Sequence, residues 1–421
     1  MQPTAALIKA ATAAMDLVLP LAHPADAVLR NFFSANRELG SHDRAFVAET
    51  VFTVLRHKRL LESLIALPSP RKLVFGSLLK LQGYSLGQLE PLLTVEDRDW
   101  AVQLKSADVE SLPPAVRLSL PDWLYERLVA EYAEQEALAF GRAMLQSAPL
   151  DLRVNTLLAD RDQILEELRA SGLAAEPTRW SPIGIRLAGK PAINRHPSFT
   201  SGAVEVQDEG SQLLGYLVAP KRREMVVDFC AGAGGKTLMM GALMQSAGRL
   251  YALDVSAKRL NNLKPRLKRS GLSNVHPQLI QGENDIKVKR LAGKIDRVLV
   301  DAPCSGFGTL RRNPDLKWRT SPEAVVELSA KQRAILNGAA TLLKPGGRLV
   351  YATCSVLPEE NQAIIEQFLD THADFQVVSC QDILDQQRIA LESGVFLELR
   401  PHRHDTDAFF TAVLERRPRP Q

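Results

Sequence analysis

Cys304 in DAPCSG and Cys354 in YATCS each follow an apolar run, and both lie downstream of a glycine-rich loop, DFCAGAGGKT, from Asp228 to Thr237. A thiol pair beside such a loop suggests covalent chemistry on a base, with a bulky cofactor supplying the group transferred. Cytosine C5 is too weak a nucleophile to take a methyl group directly, so a nucleophile must first add at C6 and push electron density onto C5. A thiolate suits that task. An ordinary cysteine, with a pKa of about 8.5, is only slightly ionised at neutral pH, so the site must supply positive charge or amide donors. After transfer the C5 proton must leave before the thiolate can be expelled, which gives a second polar group a role as acceptor or relay. Cys304, or a water it holds, could serve. Asp301, at the carboxyl end of its strand, is placed to bond the exocyclic amine and N3 of the ring. Inert packing accounts for either cysteine alone; two at strand ends beside a cofactor loop favour chemistry.

The loop follows the apolar run Met225 to Phe229 and opens a helix, so its glycines can bring backbone N–H groups to a ligand at a helix N-terminus. GGKT resembles a phosphate loop, but that motif needs a glycine where Cys230 stands. The dinucleotide pattern fails at Thr237. Asp254 ends the next strand, where a carboxylate can accept both hydroxyls of an unphosphorylated ribose. S-adenosylmethionine fits this set: a ribose diol, an amino-acid carboxylate for Lys236 and the loop amides, and no phosphate. Cys230 reads as a small buried apolar residue.

These groups need a scaffold. After Lys221 strands alternate with helices, the signature of a parallel sheet covered on both faces. Candidate strands are Met225–Phe229, Leu250–Asp254, Val275–Ile280, Arg297–Asp301 and Arg348–Ala352. Two last runs, Val395–Leu399 and Phe409–Leu414, are joined by too short a loop for a crossover and should pair antiparallel. The expectation is α/β: a class I Rossmann-like methyltransferase sheet of seven strands over residues 221–421. Residues 146–220 read as a small α+β module, with strands at LRVN and Ile183–Leu187 around a helix carrying Ile164, Leu165 and Leu168. Residues 1–145 read as all-helical: Ser41 is placed to cap a helix whose Val47, Val51, Val54 and Leu55 form one stripe, and prolines punctuate the rest.

The 421 residues exceed one ordinary core, and 45% apolar with 24% charged residues is the balance of a globular protein. A net charge of +4 permits an acidic partner without requiring one. Four widely spaced cysteines form neither a disulfide framework nor a zinc knuckle, which suggests a reducing compartment. The N-terminal apolar stretch, broken by Asp16 and Pro20, reads as neither signal peptide nor membrane span, so a cytoplasmic monomer without metal or membrane partner is expected. PHRHDTD, from Pro401 to Asp407, reads as a polar turn. RRNPDLKWR sets cations around Trp318, a mixture suited either to phosphate contact and base stacking or to a solvated loop with the indole turned inward.

DFCAGAGGKT, DAPCSGFGTLRRNPDLKW and YATCSVLPEEN closely resemble the Nol/Nop/Sun group of RNA cytosine-C5 methyltransferases. RELGSHDRAFVAETVFTVLRHKR is similar to the NusB-like helical domain of its RsmB-type bacterial members. The resemblance spans nearly the whole chain. It implies a methyltransferase acting on small-subunit (16S) ribosomal RNA, with Cys354 as nucleophile, Cys304 assisting breakdown of the adduct and Asp301 at the base. It further implies S-adenosylmethionine contacts at Cys230, Ala231, Gly232, Ala233, Gly234, Gly235, Lys236, Asp254 and Asp301. An acidic contact after the third strand falls on Glu283 or, second, Asn284. RNA contacts fall on Arg311, Arg312, Lys317 and Trp318. The loop departs from the group's commoner APGG form by carrying Ala233. A fold kept for RNA binding alone, or an ATPase, is the alternative.

Overall fold

The computed structural model describes residues 3–418. It divides into two compact units, Met1–Ser147 with Thr309–Pro322, and Ala148–Gly308 with Glu323–Gln421. None of the described helices is long and apolar enough to cross a membrane.

The first unit is helical. Helix Ser41–Arg56 buries the expected stripe completely, with Val47, Val51, Val54 and Leu55 at 0% exposure. Its cap lies one residue earlier than the sequence suggests: Gly40 is the N-cap, and the Asp43 carboxylate accepts the Gly40 N–H at 2.9 Å. Ser69 caps helix Pro70–Lys80, accepting from Lys72 N, with proline in the first turn where its missing N–H costs nothing.

The segment 309–322 packs in this unit although it lies inside the stretch read as catalytic. A helix leaves its last carbonyls without internal partners. Those of Leu55 and Arg56 are taken by the Trp318 indole N–H and the Lys317 ammonium, each at 2.8 Å. Arg56 donates in return to the Arg311 carbonyl at 3.1 Å, and Arg311 reaches Ser147 O. Lys317 and Arg311 are buried, Trp318 is half-buried, and a cation at a helix C-terminus is favoured by the backbone dipoles. Arg311, Lys317 and Trp318, expected as RNA contacts, each donate to a backbone carbonyl of this unit. Arg312 is half-buried.

The second unit opens with four short antiparallel strands, β1 (Leu150–Val154), β2 (Ala175–Pro177), β3 (Gly184–Leu187) and β4 (Val204–Val206), in the order β2-β3-β1-β4. Helix Arg161–Ala170 covers them with Ile164, Leu165 and Leu168.

The main sheet contains β5 (Met225–Asp228), β6 (Arg249–Asp254), β7 (Val275–Leu279), β8 (Ile295–Asp301), β9 (Leu343–Thr353), β10 (Phe375–Val378), β11 (Leu397–Leu399) and β12 (Phe409–Arg416). Its order is β10-β12-β9-β8-β5-β6-β7, with β11 paired to β12 off that path. The strands from β7 to β9 run parallel, while β12 is antiparallel to β9 and β10. Alternate residues feed opposite cores: Leu299 joins one apolar cluster, and Val298 and Val300 join the other. The expected terminal pair exists, Leu399 opposite Phe409, but the strand beside β12 on the main path is β10, which the sequence reading passed over. Chain order reverses at the β5/β8 junction, opening a crevice beyond their carboxyl ends.

Candidate active site

The glycine loop leaves β5 and turns into helix Gly235–Leu243, with Gly234 as N-cap at φ +83. The left-handed backbone at Gly234 favours glycine, and a Cβ there would also have to displace Leu263 Cδ1, 2.1 Å away. Gly232, at φ +57, has open space where a Cβ would project, and its N–H donates to Asp254 Oδ2 at 2.8 Å. Thr237 braces the loop from below, its hydroxyl donating to Asp228 Oδ2 at 2.6 Å.

The small β-sheet contributes residues that sequence reasoning missed. Arg153 on β1 donates from one Nη1 to Gly235 O at 2.5 Å and Gln207 Oε1 at 2.6 Å. Burial lowers this guanidinium to about 10, which leaves it charged at neutral pH. Glu205 on β4 grips Arg266 and Arg269, and Arg266 donates to Ala233 O at 2.7 Å. Two loop carbonyls are thus fixed by guanidinium groups from outside the loop. Only the position of LRVN on a strand hinted at this.

A cleft of about 910 Å³ opens above the loop. Among its lining are Cys230, Gly232, Lys236, Asp254, Glu283, Asp301, Cys304 and Cys354, which gathers most of the expected site. Gly234 shapes the backbone without lining the cleft. Asn284 is exposed and donates to Glu283 at 3.2 Å, so of the two expected positions Glu283 faces the cleft. Asp254 accepts Gly232 N–H on one oxygen and Ser256 N–H on the other, leaving a lone pair on each. These features fit S-adenosylmethionine: an acid for a ribose diol, a second acid beyond the third strand, and a glycine surface that a side chain would fill.

Lys236 is committed to Asp301, at 2.7 Å, and lies 5.5 Å from the Phe409 ring centroid. Burial works to lower its pKa, but Asp301, Cys354 and Asp228 outweigh that and hold the ammonium above its usual range. Burial pushes the Cys230 thiol well up, with Asp228, Asp301 and Asp254 adding to the effect, which suits a packing role.

Cys304 and Cys354, on loops after β8 and β9, come together with their Sγ atoms 3.5 Å apart. This is far beyond the covalent S–S distance, and both are free thiols. Cys304 is held well above the ordinary cysteine range, first by its contact with Cys354, then by burial and by the charges of Cys354 and Glu360.

A family model described as 16S rRNA methyltransferase RsmB/F matches residues 215–415, and a ferredoxin-like domain model of the same group matches residues 120–194. A probable ribosomal RNA small subunit methyltransferase B from Synechocystis sp. is 32% identical over 90% of this chain and 92% of its own. The solved protein PH0851 is 26% identical with a TM-score of 0.81, covering 99% of this chain and 100% of that one. NSun6 from Pyrococcus horikoshii, solved with SFG, shares the fold at 20% identity and a TM-score of 0.63 over 70% of this chain and 98% of its own. With a cofactor cleft, paired thiols and near full-length similarity in agreement, the chain belongs to the RsmB/F family of 16S rRNA methyltransferases.

Proposed function

We propose that this chain methylates cytosine C5 in small-subunit ribosomal RNA through a temporary bond between Cys354 and C6. The reading is carried by one observation: two thiols 3.5 Å apart lining the same cleft as the cofactor loop and the Lys236–Asp301 pair. The family is S-adenosylmethionine-dependent, and the bound cofactor supplies an electrophilic methyl group.

Cys354 adds to C6 as a thiolate, forming the C–S bond while the C5=C6 electron pair moves onto C5 and the ring heteroatoms. Lys236 lines the same cleft as Cys354. Asp301 lines the cleft and can accept from the exocyclic amine, holding the ring as charge develops. Once C5 carries the methyl group, its proton passes to a base, the C5=C6 bond re-forms and Cys354 leaves as thiolate. Cys304, beside it, assists this elimination directly or through a water.

The base must leave any stack to reach the cleft, so a single-stranded or flipped cytosine is the substrate form. Phosphate attraction is available from helix Ala257–Ser270, where Lys258, Arg259, Lys264 and Lys268 are exposed and Arg259 lines the cleft.

Labelled S-adenosylmethionine and 16S ribosomal RNA test the reading. The parent protein should transfer label to cytosine C5. Cys354→Ala should neither transfer methyl nor form a denaturant-stable RNA complex, and Cys304→Ala should accumulate that complex. The reverse pattern would move the nucleophile to Cys304, and label on any other atom would refute the assignment.

A further inference from the structure

A buried cluster lies behind the thiols. Glu360 is 0% exposed and receives four neutral donors. Its Oε1 accepts Ser305 N–H at 2.8 Å and the Gln332 amide at 3.0 Å. Its Oε2 accepts the Ser305 hydroxyl at 2.5 Å and the Ser355 hydroxyl in a short bond. Ser305 follows Cys304 and Ser355 follows Cys354, so one carboxyl group holds the residue after each thiol. The residues before them are held by the same cluster: Gln332 donates to Pro303 O at 3.0 Å, and Thr353 donates to Asn361 Oδ1 at 2.5 Å. Asn361 also donates to Ser355 O at 3.2 Å.

Ser305 N–H and the Gln332 amide can only donate, the pattern that a carboxylate satisfies. The geometry points to Glu360 as the positioning residue of the thiol pair: it clamps both cysteine loops in register, one carboxyl group bonded to the residue after each thiol. Lys236 and Asp301 line the open cleft together with both thiols. From β9, Tyr351 donates its hydroxyl to Glu360 O at 2.6 Å. The Glu360 charge is among the influences that hold the Cys304 thiol above its usual range, after its contact with Cys354 and burial. This deepens the methyl-transfer reading by naming the group that holds both thiol loops at the cleft.

Position and charge are separable by mutation. In Glu360→Gln the amide oxygen can keep the two obligate donors, and the amide nitrogen can face the two hydroxyls, which accept as readily as they donate. Contacts survive and the charge is lost. Glu360→Ala loses both.

The test is pH-resolved alkylation of the full-length protein with iodoacetamide, with each cysteine followed by peptide mass spectrometry. It uses no RNA or cofactor, so its outcome stands apart from any failure of the methylation assay. In Glu360→Gln the Cys304 midpoint should fall by about one pH unit, roughly tenfold in rate below the midpoint, with Cys354 nearly unchanged. In Glu360→Ala the fall in the Cys304 midpoint should come with a lower melting temperature, because the bonds to Ser305 and Ser355 are lost as well. An unmoved Cys304 midpoint in Glu360→Gln, or equal movement of both thiols, would overturn the proposal.

Discussion

Asp228 sits under the cofactor loop with 1% exposure, one oxygen bonded to Thr237 and the other without a partner. Burial, then the nearby Asp301 and Asp254 charges, raise its pKa from 3.8 to about 7 against the opposing pull of Thr237 and Lys236. A carboxyl group raised in the folded state is favourable to folding below its unfolded pKa, and that contribution is lost as pH rises from about 4 through 7. The shift is worth at most about 4 kcal/mol. Asp228→Asn keeps an acceptor for Thr237 and removes the titration. Thermal melts of cofactor-free protein should show the parent losing stability relative to this variant between pH 5 and pH 8. Parallel curves would show that Asp228 ionises near its ordinary value. The thiols were readable at this scale because short motifs surround them. The Lys236–Asp301 pair was not: its members are 65 residues apart in sequence, and each looked free to serve a ligand.

Strand β1 connects the small sheet to the loop through Arg153, whose guanidinium is held by Gly235 O and Gln207. Arg153→Met would leave both acceptors buried without that donor, at a cost of about 2–3 kcal/mol. Calorimetric titration with S-adenosylmethionine should show roughly tenfold weaker binding, as expected when a preorganised site must be ordered on binding. Unchanged affinity would show that the loop holds its shape unaided. The central strands β5, β6, β8 and β9 were legible because strands buried on both faces read as unbroken apolar runs. Strand β4 has only three residues, and edge strand β10 buries only Phe375, so neither gives a pattern that separates from loop. RRNPDLKWR shows a different limit. Its cations and indole have the same composition whether they meet phosphates or, as in this fold, the last carbonyls of helix Ser41–Arg56.

Over the whole molecule, 52 basic and 48 acidic residues nearly cancel, so attraction to RNA depends on where charge gathers. Helix Ala257–Ser270 carries Lys258, Arg259, Lys264, Arg266, Lys268 and Arg269 without one acidic residue. Glu205 engages Arg266 and Arg269, while Lys264 and Lys268 are exposed. Leu260 and Leu263 anchor the helix on its buried side, so reversing the two exposed lysines leaves the anchor intact. Lys264→Glu with Lys268→Glu takes the formal charge from +4 to 0. If these lysines meet phosphates, affinity for a 16S RNA fragment near 0.1 M salt should fall at least about tenfold, and the slope of log K against log salt should flatten by about 2. Melting temperature and the methyl-transfer rate at saturating RNA should remain as in the parent. Fluorescence anisotropy across a potassium chloride series measures both affinity and slope. An unchanged slope would place the RNA backbone on another face of the protein.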